Sequence, residues 1–177
     1  LHLTEGQGGL LPFATDLQEI AALSPDLLVL GGDICLWEAG AGDRLQKLLD
    51  PSGLKTMHLM GNHDTDRDGS AAKFDSDFTS RFGSRNWYVN LGDAHAIGLN
   101  TCLLQPEHDD WRNVRAEVGT NDLDWLDSTL SGLQRDLPLL LFVHIPLATT
   151  YPERRNASKA ITDVWRVTNA DAVFELL

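Results

Sequence analysis

The chain has 177 residues, a length that suits one domain with a substantial core. Its formal net charge of -12 disfavours nucleic acid and anionic membranes as partners unless a local patch or a metal ion intervenes. No apolar run approaches the roughly 20 residues that span a bilayer.

Helical and strand-like patterns alternate along the whole chain, the mark of a layered α/β domain. Phe13, Leu17, Ile20 and Leu23 recur at helical spacing and predict an amphipathic helix over 13–23. The run Leu27-Leu28-Val29-Leu30 then reads as a buried strand that ends in the tight turn Gly31-Gly32-Asp33. Leu45, Leu48 and Leu49 suggest a second helix. Met57-His58-Leu59-Met60 reads as a second strand, ending at Gly61-Asn62-His63-Asp64. Phe74, Phe78 and Phe82 predict a helix stopped by Gly83.

The stretch Trp87 to Leu91, the turn Gly92-Asp93, and Ala94 to Cys102 together predict a hairpin. A polar loop is expected from about Gln105 to Gly119. Thr120 or Asn121 is expected to cap a helix bearing Leu123, Leu126, Leu130 and Leu133, with Trp125 in the core. Leu139-Leu140-Leu141-Phe142-Val143 predicts a further strand, running into His144-Ile145-Pro146. A last helix begins near Ala170 and shows no C-cap signal before Leu177.

Three apolar strands thus each end in a polar, metal-competent group: Asp33, Asn62 with His63, and His144. Sites in layered α/β proteins gather beyond the carboxyl ends of strands, where loops converge on a rigid sheet edge. Asp brings a hard anionic oxygen, His a borderline nitrogen and Asn a neutral carbonyl oxygen. A mixed set of this kind suits Mn, Fe, Zn or Co better than Mg or Ca alone. Two such ions, bridged by one carboxylate, can clamp the attacking and leaving oxygens of a phosphoryl transfer and make a bridging water acidic near neutral pH. A His that is not a ligand can then protonate the departing oxygen.

Taken in order, Gly32-Asp33, Gly61-Asn62-His63-Asp64 and Val143-His144-Ile145-Pro146 resemble the successive motifs of the calcineurin-like metallophosphoesterases. Gly-Asn-His-Asp is the most specific of them, and the resemblance covers essentially the whole chain. It implies a four-layer αββα fold, a two-sheet sandwich flanked by helices, in a single domain over 1–177. It implies a hydrolase of phosphoric esters with a dinuclear centre of two divalent ions or of iron with a divalent ion. It also implies site roles: His2 a ligand of the first ion, Asp33 the bridging carboxylate, Asn62 and His144 ligands of the second, and His63 the non-ligand acid. The style of the motifs resembles the small phosphodiesterase and phosphatase branch, so a small phosphate ester is the expected partner rather than a nucleic acid.

The family pattern opens with Asp-x-His and closes with Gly-His-x-His. Here the chain opens Leu1-His2-Leu3 and stops before the closing motif, so it reads as a fragment cut at both ends. The fragment by itself is then expected to be weakly active or inactive, and the absence of a leader says nothing about export. Some relatives place an Asp three residues after the bridging Asp; the residue here is Leu36, which argues against the Ser/Thr protein phosphatase branch.

Other features compete. Asp64-Thr65-Asp66-Arg67-Asp68-Gly69 with Asp75 at the twelfth position fits the spacing of an EF-hand calcium loop, but a strand precedes it where a helix is required. A calcium-stabilised interaction domain and a non-catalytic relative that only binds are therefore the alternatives to an enzyme. In the long loop, Trp111 can stack on a substrate and Arg112 can contact phosphate; His108, Asp109 and Asp110 lie beside them. Tyr151, Arg154 and Arg155 stand at a distance from His144 that suits a rim. His58 reads as packed or edge-exposed, and His95, Cys35 and Cys102 as packed side chains.

Overall fold

A computed structural model describes residues 10–34, 40–64, 71–105 and 114–177. Strands β1 (Leu28–Leu30) and β2 (Thr56–His58) pair in parallel, with Leu30 opposite His58. Strands β3 (Trp87–Asn90), β4 (His95–Leu99) and β7 (Leu139–Val143) form a second sheet in the order β3-β4-β7, in which β4 and β7 are parallel. A small antiparallel ribbon joins β5 (Cys102–Leu104) to β6 (Val114–Ala116).

The period of two in these strands decides which layer each side chain enters. Leu27, Val29, Met57 and Leu59 on one sheet meet Trp87, Val89, Ala96 and Phe142 on the other, and this is the interior of the sandwich. Leu28 and Leu30 face the opposite way, against Phe13 and Leu17 of α1 (Leu10–Ala22) and Leu45 and Leu49 of α2 (Ala41–Leu49). On the far side, Ile97, Leu99, Leu139 and Leu141 pack against Leu126 and Leu130 of α4 (Thr120–Ser131) and Val173 and Leu176 of α7 (Ala170–Leu176). The order is helices, sheet, sheet, helices: the four-layer αββα sandwich that the sequence implies. Helix α3 (Ala71–Phe82) ends at Gly83 as expected and sets Phe82 flat against His58, ring centroids 4.1 Å apart.

Four expectations need correction. The hairpin closes sooner than Cys102: β4 stops at Leu99, and Cys102 starts β5 in the separate ribbon. The polar loop of 105–119 contains β6, whose alternating Val114, Arg115 and Ala116 put two small apolar side chains into the core. Neither Thr120 nor Asn121 caps α4; Gly119 holds the N-cap position with extended backbone and no side-chain cap bond. Two short helices, α5 (Tyr151–Arg154) and α6 (Lys159–Trp165), lie between β7 and α7 where no helix is expected.

A buried polar cluster fixes the junction between β4 and α4. Asn86 Nδ2 and Asn100 Nδ2 both donate to the carboxylate of Asp122, the first at 2.5 Å and the second at 3.3 Å. Asn86 Oδ1 accepts from the Asn100 amide at 2.7 Å, and Asn100 Oδ1 from the Cys102 amide at 3.2 Å. Every carbonyl and carboxylate oxygen in this cluster has a donor, as buried polar groups require.

Candidate metal centre

Parallel pairing carries β1 and β2 to the same edge, so the turns after Leu30 and after Met60 lie side by side. That juxtaposition demands two glycines. Gly32 has φ +93°, and a Cβ there would lie 2.6 Å from His144 Nδ1 and 2.9 Å from the Gly61 amide nitrogen. A Cβ on Gly61 would collide with the backbone and carboxylate of Asp33. Asp33 itself has φ +60°, a left-handed backbone that Asp tolerates better than most residues.

Asp64 locks the two turns together. It is 1% exposed, and its Oδ2 accepts from the amides of Gly61 at 2.8 Å and Asp33 at 3.2 Å. The amide of His63 in turn donates to Asp33 Oδ1 at 2.9 Å. The acid residue of the expected mechanism is thus tied by its own backbone to the expected bridging carboxylate.

His144 arrives from the other sheet, at the end of β7. Its neighbour Ile145 donates its amide to the buried Thr101 hydroxyl at 2.9 Å, which fixes the chain just beyond the strand. His144 Nδ1–H donates to the Gly31 carbonyl at 2.6 Å. A carbonyl only accepts, so Nδ1 keeps its proton and Nε2 is the nitrogen left to act. Nε2 faces Asn62 Oδ1 at 3.1 Å and Asp33 Oδ1 at 3.2 Å.

This geometry has a chemical consequence. In the neutral ring, Nε2 turns a lone pair toward the Asn62 and Asp33 oxygens; a proton on Nε2 or a cation held by all three atoms turns that repulsion into attraction. Burial pushes the ring toward the neutral form, but the Asp33 carboxylate, the Gly31 carbonyl and Asp64 together outweigh it and hold the His144 pKa above its ordinary value. Burial likewise raises Asp33, yet the bonds and charge of His144 and His63 overcome it and pull the carboxyl down to about 2. Asp33 is therefore an anion at any physiological pH. Among the described residues no three His, Cys, Asp or Glu side chains share a metal-binding arrangement; the third donor here is the amide oxygen of Asn62. One carboxylate, one imidazole whose outer nitrogen is anchored on a carbonyl, and one amide oxygen fit a transition-type divalent ion.

The structure therefore brings together Asp33, Asn62, His63 and His144. His2, Trp111 and Arg112 lie outside the described residues, as do Cys35, Leu36, 65–70 and 108–110. The two ends of the calcium-like loop are engaged elsewhere: Asp64 on the Gly61 and Asp33 amides, and Asp75 within α3, 3.0 Å from Arg85. His95 is a packed residue, bonded to the Tyr88 hydroxyl and the Gln134 carbonyl. Sequence reasoning places Asp64 in the Gly61-Asn62-His63-Asp64 motif without a role of its own; it holds both turns. It missed Trp165, which meets Tyr151 beside the site, because a tryptophan at the end of a two-turn helix has no local signature.

A cavity of about 350 Å³ opens on this centre, lined by Asn62, His144, Thr149, Tyr151 and Trp165 among others. A larger one of about 590 Å³ runs beside it between Leu147 and Phe174 but takes in none of the convergent donors.

Residues 1–174 match the family model described as calcineurin-like phosphoesterase. Among solved structures, the fold is similar to that of a dimetal phosphatase from Danio rerio, with a TM-score of 0.59 and 16% identity over 96% of this chain and 68% of that one. No curated protein sequence matches.

Proposed function

The chain belongs to the calcineurin-like phosphoesterases, and from that premise we propose that it serves as a metal-dependent phosphoric ester hydrolase with a dinuclear centre. The observation that carries this reading is the convergence of Asn62 Oδ1, at 3.1 Å, and Asp33 Oδ1, at 3.2 Å, on His144 Nε2. Such an arrangement is unfavourable without a positive charge at its centre and favourable with one. When bound, two divalent ions, or iron with a divalent ion (Mn, Fe, Zn or Co), supply Lewis acidity and an acidified water at neutral pH.

The residues divide the remaining work. Asp33 would serve both ions, and its carboxyl stays ionised because His144 and the His63 amide favour the anion. Asn62 and His144 would hold the second ion, and the Gly31 carbonyl fixes the ring so that Nε2 is free to act as a donor. His2 would be a ligand of the first ion. His63 delivers a proton to the leaving oxygen from a position set by its backbone bond to Asp33. Trp111 and Arg112 contribute to substrate binding. The substrate is a small phosphate ester, mono- or diester: the net charge of -12 makes a long polyanion a poor partner.

The test is metal-dependent hydrolysis by the chain extended at both ends. With Mn2+ present, bis-p-nitrophenyl phosphate is assayed beside p-nitrophenyl phosphate. Turnover that His63→Ala lowers by about 10²- to 10⁴-fold fits a general acid, and the better substrate distinguishes diesterase from monoesterase. Two bound metals without turnover of either ester would instead point to a binding module of the same fold.

A further inference from the structure

We propose that Tyr151 and Trp165 form an aromatic subsite beside the metal centre, which takes a planar ring carried by the phosphate ester. This rests on the proposed phosphoesterase reading and narrows its substrate class. The ligand residues Asn62 and His144 and the two aromatic residues line the same cavity of about 350 Å³, near the lower end of the range for small-molecule sites. A phosphate held at the Asn62–His144 end leaves room at the other end for one substituent, and the wall there is aromatic.

The aromatic pair is exposed yet rigidly placed. Tyr151 is 46% and Trp165 36% exposed, while their ring centroids are 4.9 Å apart with the planes tilted by 56°. Scattered single exposed aromatics are ordinary, but two that pack on each other in one groove make the kind of contiguous apolar surface that marks a ligand site. The chain holds them in place from behind. The Val167 amide donates to the Pro146 carbonyl at 3.0 Å, and Arg166 reaches the Thr149 carbonyl at 3.2 Å and Glu153 at 2.8 Å. These bonds dock the end of α6 onto the segment that follows His144, so Trp165 sits in fixed relation to the metal ligand. The Arg155 guanidinium lies 5.4 Å from the centre of the Tyr151 ring and adds a positive charge at the rim of a strongly negative protein. An aromatic wall with a cation on it and an anion-binding centre at its foot suits an aryl or nucleobase-bearing phosphate, because every such ring offers a face to stack.

Binding of phosphonates, non-hydrolysable analogues of phosphate esters, to the Mn2+-loaded chain, extended at both ends, tests this by calorimetry. Phenylphosphonate and the phosphonate analogue of adenosine monophosphate are compared with methylphosphonate. At least one ring-bearing probe is expected to bind about tenfold or more tightly than methylphosphonate, and the better of the two tells a small aryl group from a nucleobase. Trp165→Ala should remove most of that advantage without changing methylphosphonate binding, and Trp165→Phe should restore part of it. Tyr151→Leu serves as an independent probe if Trp165→Ala unfolds. Equal affinity for all three phosphonates, or a ring preference unchanged in Trp165→Ala and Tyr151→Leu, overturns the subsite. That failure is distinct from failure of the phosphoesterase reading, which would show as absent hydrolysis in a metal-loaded protein.

Discussion

Two polar clusters at the ends of strands behave differently. Around Asp122, Asn86 and Asn100, each buried oxygen meets an N–H, so the cluster closes on itself. Around His144, the atoms that face one another are all acceptors once the ring is neutral. The first arrangement needs nothing more and holds β4 against α4. The second is complete only with a positive charge at its centre. Composition does not separate the two, since both consist of Asp and Asn, with a His added in the second. The balance of donors against acceptors does.

The comparison breaks most sharply on activity. Asp33→Asn keeps the shape of the side chain and removes the bridging charge. It should lower Mn2+-dependent hydrolysis by about 10⁴-fold, or roughly 5 kcal/mol, while the thermal midpoint moves little. Asp122→Ala should do the reverse. It strands two buried amide donors at about 2 kcal/mol each and should lower stability by about 4 kcal/mol, read as a midpoint drop of about 10 °C. Activity per folded molecule should persist.

A third outcome concerns a buried group that belongs to neither cluster. His58 is 5% exposed, and its Nδ1 has no hydrogen-bond partner among the described residues. Burial lowers its pKa from 6.5 to about 4. The unfolded chain therefore binds the extra proton first. Stability from a neutral His58 is complete above pH 6.5 and is lost as pH falls toward 4, by about 3 kcal/mol at about 1.4 kcal/mol per pH unit. Chemical denaturation of His58→Leu beside wild type, at pH 7 and pH 4.5, should show a smaller pH dependence in the variant. Gly32→Ala, the mildest change, should destabilise by about 2 kcal/mol through the positive φ and the crowding of His144, and should weaken Mn2+ binding as well.

Much of this was legible in the sequence, and the reasons differ by element. Strands β1, β2 and β7 are marked by Leu-Leu-Val-Leu, Met-His-Leu-Met and Leu-Leu-Leu-Phe-Val, apolar runs with residues packed on both faces of their sheets, the exposed Leu140 apart. Because each run ends in a polar residue, the meeting of Asp33, Asn62, His63 and His144 at one edge was to be expected, while the sandwich itself was implied by the family resemblance. Strand β6 was hidden because three residues give barely one period, and its partner β5 is not adjacent to it in sequence. The early end of β4 was hidden too: Asn100 and Thr101 sit in a continuous apolar context, and only their bonds to Asn86, Asp122 and Ile145 show that the chain turns there. The double role of Asp64 depends on the approach of two turns 30 residues apart, which no local pattern encodes.

The most direct measurement is a calorimetric Mn2+ titration of the wild-type chain, extended at both ends, beside Asn62→Leu and His144→Ala. If Asp33, Asn62 and His144 share an ion, each substitution should weaken binding by at least about tenfold. Isotherms that are the same in all three proteins would contradict a metal centre at this sheet edge.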